Sequence, residues 1–583
     1  MATAAAFNVE EVVEVLESLT RDAGKVQEET LRRILEENKE TEYLQKWGLN
    51  GRTDPVSFKA SVPLVLHMDL DPYIQRIADG DASPVLTSKP VTAMSMSSGT
   101  SQGKQKYIPF TEAMFKSSLF VLSTSFAYRN REFPIGEGKV LQFLYSSKKV
   151  QSSKGGLPAA PVSAHVFNRP EYSEMLKGMS TPSCSPSEVI HGPDFQESLY
   201  CHLLSALIFR HRIQFVASVF AHGIILALRR FEQVWEELCA DIRTGVVSTA
   251  RVSSPSVRAA MSKLLSEPDP QSADEIHRTC KRLMEKGWSG LIPELFPNAK
   301  YIHCIMTGTM QPYVKKMRHY AGETPLLSAD YGASEGWVGL NVNPRDPPET
   351  ATFAVVPNVA YFEFIPLKNN GSPDSDSATV GLTEVRVGEE YEIVMTNDTG
   401  MYRYRLGDIV KVHGFHNKTP LLRYVCRKNV LLNIDIDKNT EEDLQLSVEA
   451  AAAKLLSSSN NKTELHDFTS HIDKSAYPGH YVIFWELSGE ATDDQVLQEC
   501  CDCMDRSFAD MGYVVSRKTK TIGPLELRVV RGGTFGKILS HYVGLGTAAN
   551  QFKSPRFVAE TNGAVLGILA HNLIKSFFSS AYD

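Results

Sequence analysis

The first residues that could do chemistry form the run Ser95-Met-Ser-Ser-Gly-Thr-Ser-Gln-Gly-Lys104. Small hydroxyl side chains and glycines leave backbone N–H groups free to converge, and a turn of this kind can cradle an anionic phosphate. It is not a Walker A loop. Three residues separate Gly99 from Gly103 where that motif needs four, and Gln105 follows Lys104 where it needs Ser or Thr. Taken alone, the run also reads as an ordinary surface turn, which uses the same residues. A second run, Asp330-Tyr-Gly-Ala-Ser-Glu-Gly-Trp337, follows an apolar stretch. An acidic residue at a strand end can hold Mg²⁺ beside phosphate oxygens, and an aromatic there can stack on a base; the plainer reading is a strand-to-loop turn with a buried Trp. In a third, Tyr402-Arg-Tyr-Arg-Leu-Gly-Asp408, an Asp after a Gly turn can accept two hydrogen bonds from ribose hydroxyls. The plainer reading is a hairpin that exposes Arg403 and Arg405. In the fourth, Gln551-Phe-Lys-Ser-Pro-Arg556, Lys553 could neutralise a transferring phosphate, or be a solvated surface lysine, the usual state of Lys.

The elements that must position these runs are α/β in texture. Val9, Val12, Val13, Leu16 and Leu19 fall at helical spacing, and Leu31, Ile34 and Leu35 continue the pattern past Gly24. Strand-like stretches at 140–145, 215–220, 301–306 and 326–331 alternate with helical ones at 231–242 and 256–265. From residue 351 strands follow one another with few helices between, which predicts an antiparallel or barrel-like subregion, and 368–378 reads as a polar loop. A smaller α/β unit begins near Val430. Asn439 or Thr440 caps a helix that runs to about Leu456, and Asp443 lies three residues after Thr440, close to a capping box. Residues 457–462 read as a polar loop, and 481–487 and 525–530 as buried strands. The expected division is a large domain over 1–427 and a small one over 428–583.

Composition narrows the partners. With 583 residues the chain exceeds one simple domain, and 42% apolar with 22% charged residues excludes a disordered or fibrous protein. Lys plus Arg is 61 against 68 for Asp plus Glu, a net charge of −7 without a long basic run, so nucleic acid is not an expected partner. The start is acidic where a secretory leader is basic and then apolar. The longest apolar run, 215–228, contains His222 and falls short of the about 20 residues a membrane span needs. A cytoplasmic monomer acting on small molecules is the expectation. Cys500, Cys501 and Cys503 lie in a helical pattern with no histidine nearby, and read as buried thiols rather than a metal site.

In combination and order, these runs resemble the plant Gretchen Hagen family of acyl acid amido synthetases, and within it the jasmonate-conjugating branch. The resemblance covers nearly the whole chain and includes 97–103, IMTGTM at 305–310, 331–337, LTEVRVGEEY at 382–391, 402–408, IDIDKNTEEDLQLS at 434–447 and KTIGPLELRVV at 520–530. It implies an adenylate-forming, firefly-luciferase-like fold that uses ATP and Mg²⁺ to activate a carboxylic acid as its acyl-adenylate, then passes the acyl group to an amino acid, isoleucine being the first choice. By the same resemblance Ser95, Ser98, Gly99, Thr100 and Ser118, with Tyr331, Gly332, Ala333 and Ser334, contact the nucleotide. Glu335 is the Mg²⁺ carboxylate, Asp408 binds the ribose, and Lys553 comes to the phosphates on a small domain that rotates between half-reactions. The acid pocket falls on Ser118, Leu122, Ala217, Val219, His222 and Trp337. Leu122 and Ala217 are smaller than the aromatics common there, which admits an oxidised jasmonate; His222 also reads as a packed core histidine. One segment departs from the family. Gly155–Gly156 is followed by Leu-Pro-Ala-Ala-Pro-Val-Ser-Ala-His165 where members carry Gly-Thr-x-Thr-Thr-Asn, which leaves Ser163 as a hydroxyl near the acceptor site and stiffens the loop at Pro161. Lys537 and His541, on a helix after Thr534, are candidates for the amino acid carboxylate. Three alternatives stand beside this reading: the same reaction on an auxin or benzoate, a thioester-forming ligase using coenzyme A, and a hormone-binding protein that keeps the fold without catalysis.

Overall fold

The computed structural model describes residues 7–582 apart from 102–103, 146–150, 180–181, 312, 368–377, 428–429, 436, 438, 459–462, 490–492, 546, 548 and 550–551, and describes the backbone alone at 97–101, 104–105, 309 and 430. The expected polar loop at 368–378 therefore lies outside the described residues except for Ala378, and so do the side chains of Ser98, Gly99 and Thr100.

The α/β alternation builds a parallel sheet from β3 (Lys139–Gln142), β6 (Ile213–Phe220), β7 (Ile302–Ile305) and β8 (Leu326–Ser328), in that order. The helix Ala221–Thr244 packs beside it. Ile224, Leu228, Phe231, Val234, Trp235, Leu238 and Ile242 recur at helical spacing and are buried, and Gly245, at φ +68°, ends the helix in the left-handed region. A second sheet has the order β2 (Lys104–Thr111), β1 (Val91–Ser101), β5 (Pro158–Ala160), β4 (Gln151–Ser152).

The strand-rich stretch after residue 330 forms an eight-stranded antiparallel sheet. Its order is β13 (Val380–Gly381), β12 (Tyr361–Pro366), β14 (Glu390–Thr396), β15 (Tyr404–His416), β16 (Thr419–Arg427), β11 (Phe353–Val355), β10 (Gly336–Leu340), β9 (Tyr331–Ala333). Arg403 and Arg405, read from the sequence as exposed on a hairpin, are not. The Arg403 guanidinium donates to both Glu363 oxygens at 3.0 and 2.9 Å and to the Lys59 and Val62 carbonyls at 2.8 Å. Arg405 donates to both Glu392 oxygens at 2.9 and 2.7 Å. Their acidic partners stand on β12 and β14, strands that local patterning around residue 403 cannot see.

The rest of the chain adds a small ladder of β17 (Val430–Leu432) with β18 (Asn439–Thr440), then a sheet in the order β19 (Thr463–Asp473), β20 (His480–Gly489), β21 (Glu526–Val530), β22 (Leu573–Phe578). On β20, Tyr481, Ile483 and Trp485 enter one apolar cluster, whereas Val482 and Phe484 enter another on the opposite face. Burial on both faces explains the unbroken apolar run at 481–485. The helix Glu441–Ser458 opens with the reciprocal box read from the sequence: Asp443 N–H donates to the Thr440 hydroxyl at 3.2 Å, and Thr440 N–H to the Asp443 carboxylate at 2.8 Å. It runs two residues past the expected end, into the polar stretch. Cys500 and Cys501 are buried in the helix Asp494–Ser507, and burial pushes the Cys500 thiol up to about 12. Among the described residues no helix is long and apolar enough to cross a membrane.

Candidate active site

The 331–337 run is a tight β9–β10 turn, with Trp337 paired to Gly332 and Gly336 to Ala333. A Cβ on Gly332 would lie 2.9 Å from the Trp337 ring, so the indole sits directly on backbone that only glycine leaves clear. The indole N–H donates to the Ser118 hydroxyl at 3.0 Å, and that hydroxyl donates to the Met114 carbonyl at 2.9 Å. Ser118 and Trp337, far apart in sequence, thus form one wall. Ala333 and Ser334, at the turn itself, are half-buried, whereas Glu335 is buried.

Two carboxylates converge behind this turn. Glu335 accepts from the Tyr404 hydroxyl at 2.9 Å, and its backbone carbonyl accepts from the Asn397 amide at 2.7 Å. Asp408 accepts from the Tyr331 hydroxyl at 2.8 Å on one oxygen and from Arg427 Nε at 2.9 Å on the other. Burial and the adjacent carboxylates push the Tyr331 and Tyr404 hydroxyls far above their ordinary range, which keeps both as protonated donors. Asp408 chiefly raises Arg427 in turn. Lys106, on β2, is held below its usual range by burial, against the opposing pull of Glu335.

Lys553 is not a solvated surface lysine. It is half-buried, with its ammonium 4.5 Å from the centre of the Phe220 ring, at the end of β6. Burial, then the positive charge of Arg427, lowers its pKa, while Glu441 and Asp408 oppose that. The late lysine is therefore within electrostatic reach of Asp408. Ser95 lies on β1, fully buried, with no hydrogen-bond partner for its hydroxyl among the described residues. An orphaned buried donor of this kind marks a place where a polar ligand or a water is wanted.

The remaining candidates scatter. Leu122, on the helix Glu112–Glu132, packs with Phe110, Phe115 and Val162. Ala217 is buried among Phe126, Phe215 and Tyr301, and Val219 packs on the cluster beneath the parallel sheet. His222 meets the Tyr313 ring edge-on at 5.3 Å and the Phe552 ring at 6.5 Å. Ser163 is half-buried in the short helix Val162–Phe167. The structure does not bring Lys537 and His541 to the carboxylates by any hydrogen bond: Lys537 donates to Asn572 at 2.8 Å, and the His541 ring lies beside Tyr542. In the departing segment, a Cβ on Gly155 would fall 2.3 Å from the Gly80 nitrogen, so the loop is pinned by close backbone approach. His165 bonds the Met94 carbonyl at 3.0 Å and its ring lies tilted against Phe110 at 5.1 Å, tying this loop to β1.

Sequence reasoning singled out no role for Tyr404, Asn397, Arg427, His165 or Phe220. Tyr404 lay inside a quoted run, four residues from Asp408, and could have been found there. His165 also lay inside a quoted run; the contacts of the others join residues far apart in sequence and carry no local signal.

Three family models match the chain: the GH3 family N-terminal domain over residues 12–326, the central domain over 353–427 and the C-terminal domain over 442–562. The chain is 61% identical over 577 residues to jasmonoyl–L-amino acid synthetase JAR6 of Nicotiana attenuata, covering 99% of this chain and 98% of that one. It is 52% identical over 600 residues to the probable indole-3-acetic acid-amido synthetase GH3.12 of Oryza sativa subsp. japonica, covering 98% and 97%. Among solved structures it is similar to GH3.15 acyl acid amido synthetase, with a TM-score of 0.86 and 33% identity over 97% of this chain and 96% of that one.

Proposed function

This chain belongs to the GH3 family, and from that premise we propose that it is an ATP-dependent acyl acid amido synthetase that joins a jasmonate-type acid to an amino acid, isoleucine first. The observation that supports the reading is that Glu335 and Asp408, distant in sequence, accept from Tyr404 and Tyr331 behind the β9–β10 turn, while Lys553 lies over Phe220 within reach of the Asp408 charge.

A free carboxylate is a poor electrophile, and an amine does not displace its oxygen at a useful rate. ATP, as co-substrate, supplies the remedy: the acid's oxygen bonds to the α-phosphorus, pyrophosphate leaves, and the acyl carbon now bears AMP as leaving group. The amine nitrogen then bonds to that carbon, AMP departs, and the nitrogen gives up a proton. Residues of this chain do the positioning and the charge work. The β1–β2 hairpin with Ser95, and the half-buried Ala333 and Ser334, face the nucleotide in this reading. Asp408 takes the ribose hydroxyls, and Lys553 meets the charge that develops on the departing phosphates. Glu335 is suited to hold Mg²⁺: it is a single carboxylate with one oxygen steadied by Tyr404, and the ion would neutralise phosphate charge. Ser118 and Trp337 form the wall against which the acid lies.

The proposed division places residues 1–427 as the body and 428–583 as a lid that carries Lys553 in for activation and out before the amide forms. The proposed protein acts as a monomer in the cytoplasm. An auxin is the second acid to consider, since the rice relative at 52% identity is named for indole-3-acetic acid. A product screen of jasmonates, auxins and benzoates against the amino acids, with coenzyme A as rival acceptor and mass detection, decides among them. Jasmonoyl–isoleucine as the leading product supports the proposal; a thioester, or no product from any acid, overturns it.

A further inference from the structure

The segment that carries Lys553 is strapped down by a buried ion pair for which the chemistry above has no use. β19 is the edge of its sheet, and residues 554–558 run along it in parallel, with Ser470 opposite Phe557. Ser470 N–H donates to the Arg556 carbonyl at 2.9 Å, Val558 N–H to the Ser470 carbonyl at 2.8 Å, and the Ser470 hydroxyl to the Arg556 carbonyl at 2.6 Å. On the side-chain level Arg556 donates to Asp467 and to the Phe468 carbonyl, each at 2.7 Å, and its guanidinium lies 4.1 Å from the centre of the Phe468 ring. The Ser554 hydroxyl donates to the second oxygen of Asp467. The residue next to Lys553 is thus held by the same carboxylate as Arg556. Burial alone would raise Asp467, but Arg556, His222 and the Ser554 hydroxyl outweigh it and keep the carboxylate charged.

Arg556 and Asp467 expose 6% and 5% of their surface. A buried pair of this kind is weak grounds for stability, because well-packed apolar residues often do as well; where it is kept, it fixes an arrangement. What it fixes here is visible from the other side of the contact. Phe220 lies under Lys553, the His222 ring stands between Tyr313 and Phe552, and Arg229 bonds the imidazole of His466, the residue before Asp467. The chain just ahead of the strap therefore meets the parallel-sheet half of the molecule through Phe552 and Lys553.

We propose that Asp467 and Arg556 are positioning residues for the acid-activating half-reaction: their buried pair, with the Ser554 hydroxyl on the same carboxylate, sets the strap along β19 so that Lys553 lies over Phe220. This rests on the acyl-adenylate reading given above. It separates the two half-reactions, because the contact matters while Lys553 is in place and is idle once the acyl-adenylate exists.

The test uses the full-length protein and measures the halves apart. One assay follows acid-dependent exchange of labelled pyrophosphate into ATP. The other supplies synthetic acyl-adenylate with the amino acid and follows the amide. Ser554→Ala removes only the hydroxyl that donates to Asp467 and leaves Arg556 on the carboxylate's other oxygen. It should lower exchange about tenfold, the scale of one hydrogen bond to a charged group, and leave amide formation from supplied acyl-adenylate within about twofold. Arg556→Ala should lower exchange further, and Arg556→Lys should recover part of that loss. Parallel loss of both half-reactions in an active enzyme means a structural role and overturns the inference alone, as does undiminished exchange in Ser554→Ala. A parent protein that exchanges pyrophosphate with no acid overturns the functional reading and this inference with it.

Discussion

Glu335 and Asp408 are held in one way and Lys553 in another. Each carboxylate takes hydrogen bonds from side chains of its own eight-stranded sheet: Tyr404 for Glu335, Tyr331 and Arg427 for Asp408. Lys553 instead lies against the face of an aromatic ring from a different sheet, and the order around it belongs to its neighbours Ser554 and Arg556, held by Asp467 of β19. The first arrangement is preorganised before substrate arrives, as charge stabilisation requires. The second is a contact that can be made and broken as a unit. The difference teaches that the binding half of this chemistry is built into one sheet, and the transferable charge is delivered.

The sharpest way to break the comparison is Lys553→Ala. It should cost about 100-fold or more in acid-dependent pyrophosphate exchange, the scale of removing one preorganised charge-stabilising group, with little change in melting temperature, since no carboxylate is stranded by its loss. Asp408→Asn should behave differently, losing activity and stability together. Arg427 and Tyr331 would face a neutral amide, a destabilisation of about 1.5–3 kcal/mol visible in denaturant unfolding. Next, Tyr404→Phe removes one donor to Glu335, and should raise the Mg²⁺ concentration needed for half-maximal exchange by up to about tenfold, in keeping with about 1 kcal/mol per hydrogen bond.

The smallest effect is a pH dependence to which a histidine of the parallel-sheet half contributes. His202 is buried, bonded to Ser185 and the Leu144 carbonyl, each at 2.7 Å, and burial pushes its pKa down from 6.5 to about 4. The unfolded chain binds this proton first, so the contribution is whole above pH 6.5 and is lost as pH falls from there toward 4. Thermal melts should show lower stability at pH 5 than at pH 7, with a shallower slope in His202→Gln.

Much of this was legible in the sequence because it is local. The helical spacing of Val9 to Leu19, the Thr440–Asp443 box and the 481–485 strand are periodicities or short-range contacts, and the structure has all three. The turn at 331–337 was legible as a motif; the Gly-Asp turn expected at 402–408 is not a turn, because Tyr404–His416 runs through it as β15, paired to its neighbours on both sides. What the sequence hid is the pairing between distant strands. Arg403 looks like an exposed hairpin arginine until Glu363 is placed beside it. Lys553 looks like a surface lysine until Phe220 lies under it. The locking of Asp408 by Arg427 depends on the register of β15 against β16, in which Asp408 stands opposite Arg427, and no local pattern encodes that register.

Pyrophosphate exchange with the acid as the only variable tests the central claim most directly. The account predicts that jasmonate drives label into ATP in the absence of any amino acid, and that adding isoleucine converts the same mixture to amide and AMP. Absence of exchange with every jasmonate, auxin and benzoate offered, by a protein that is folded, would contradict it.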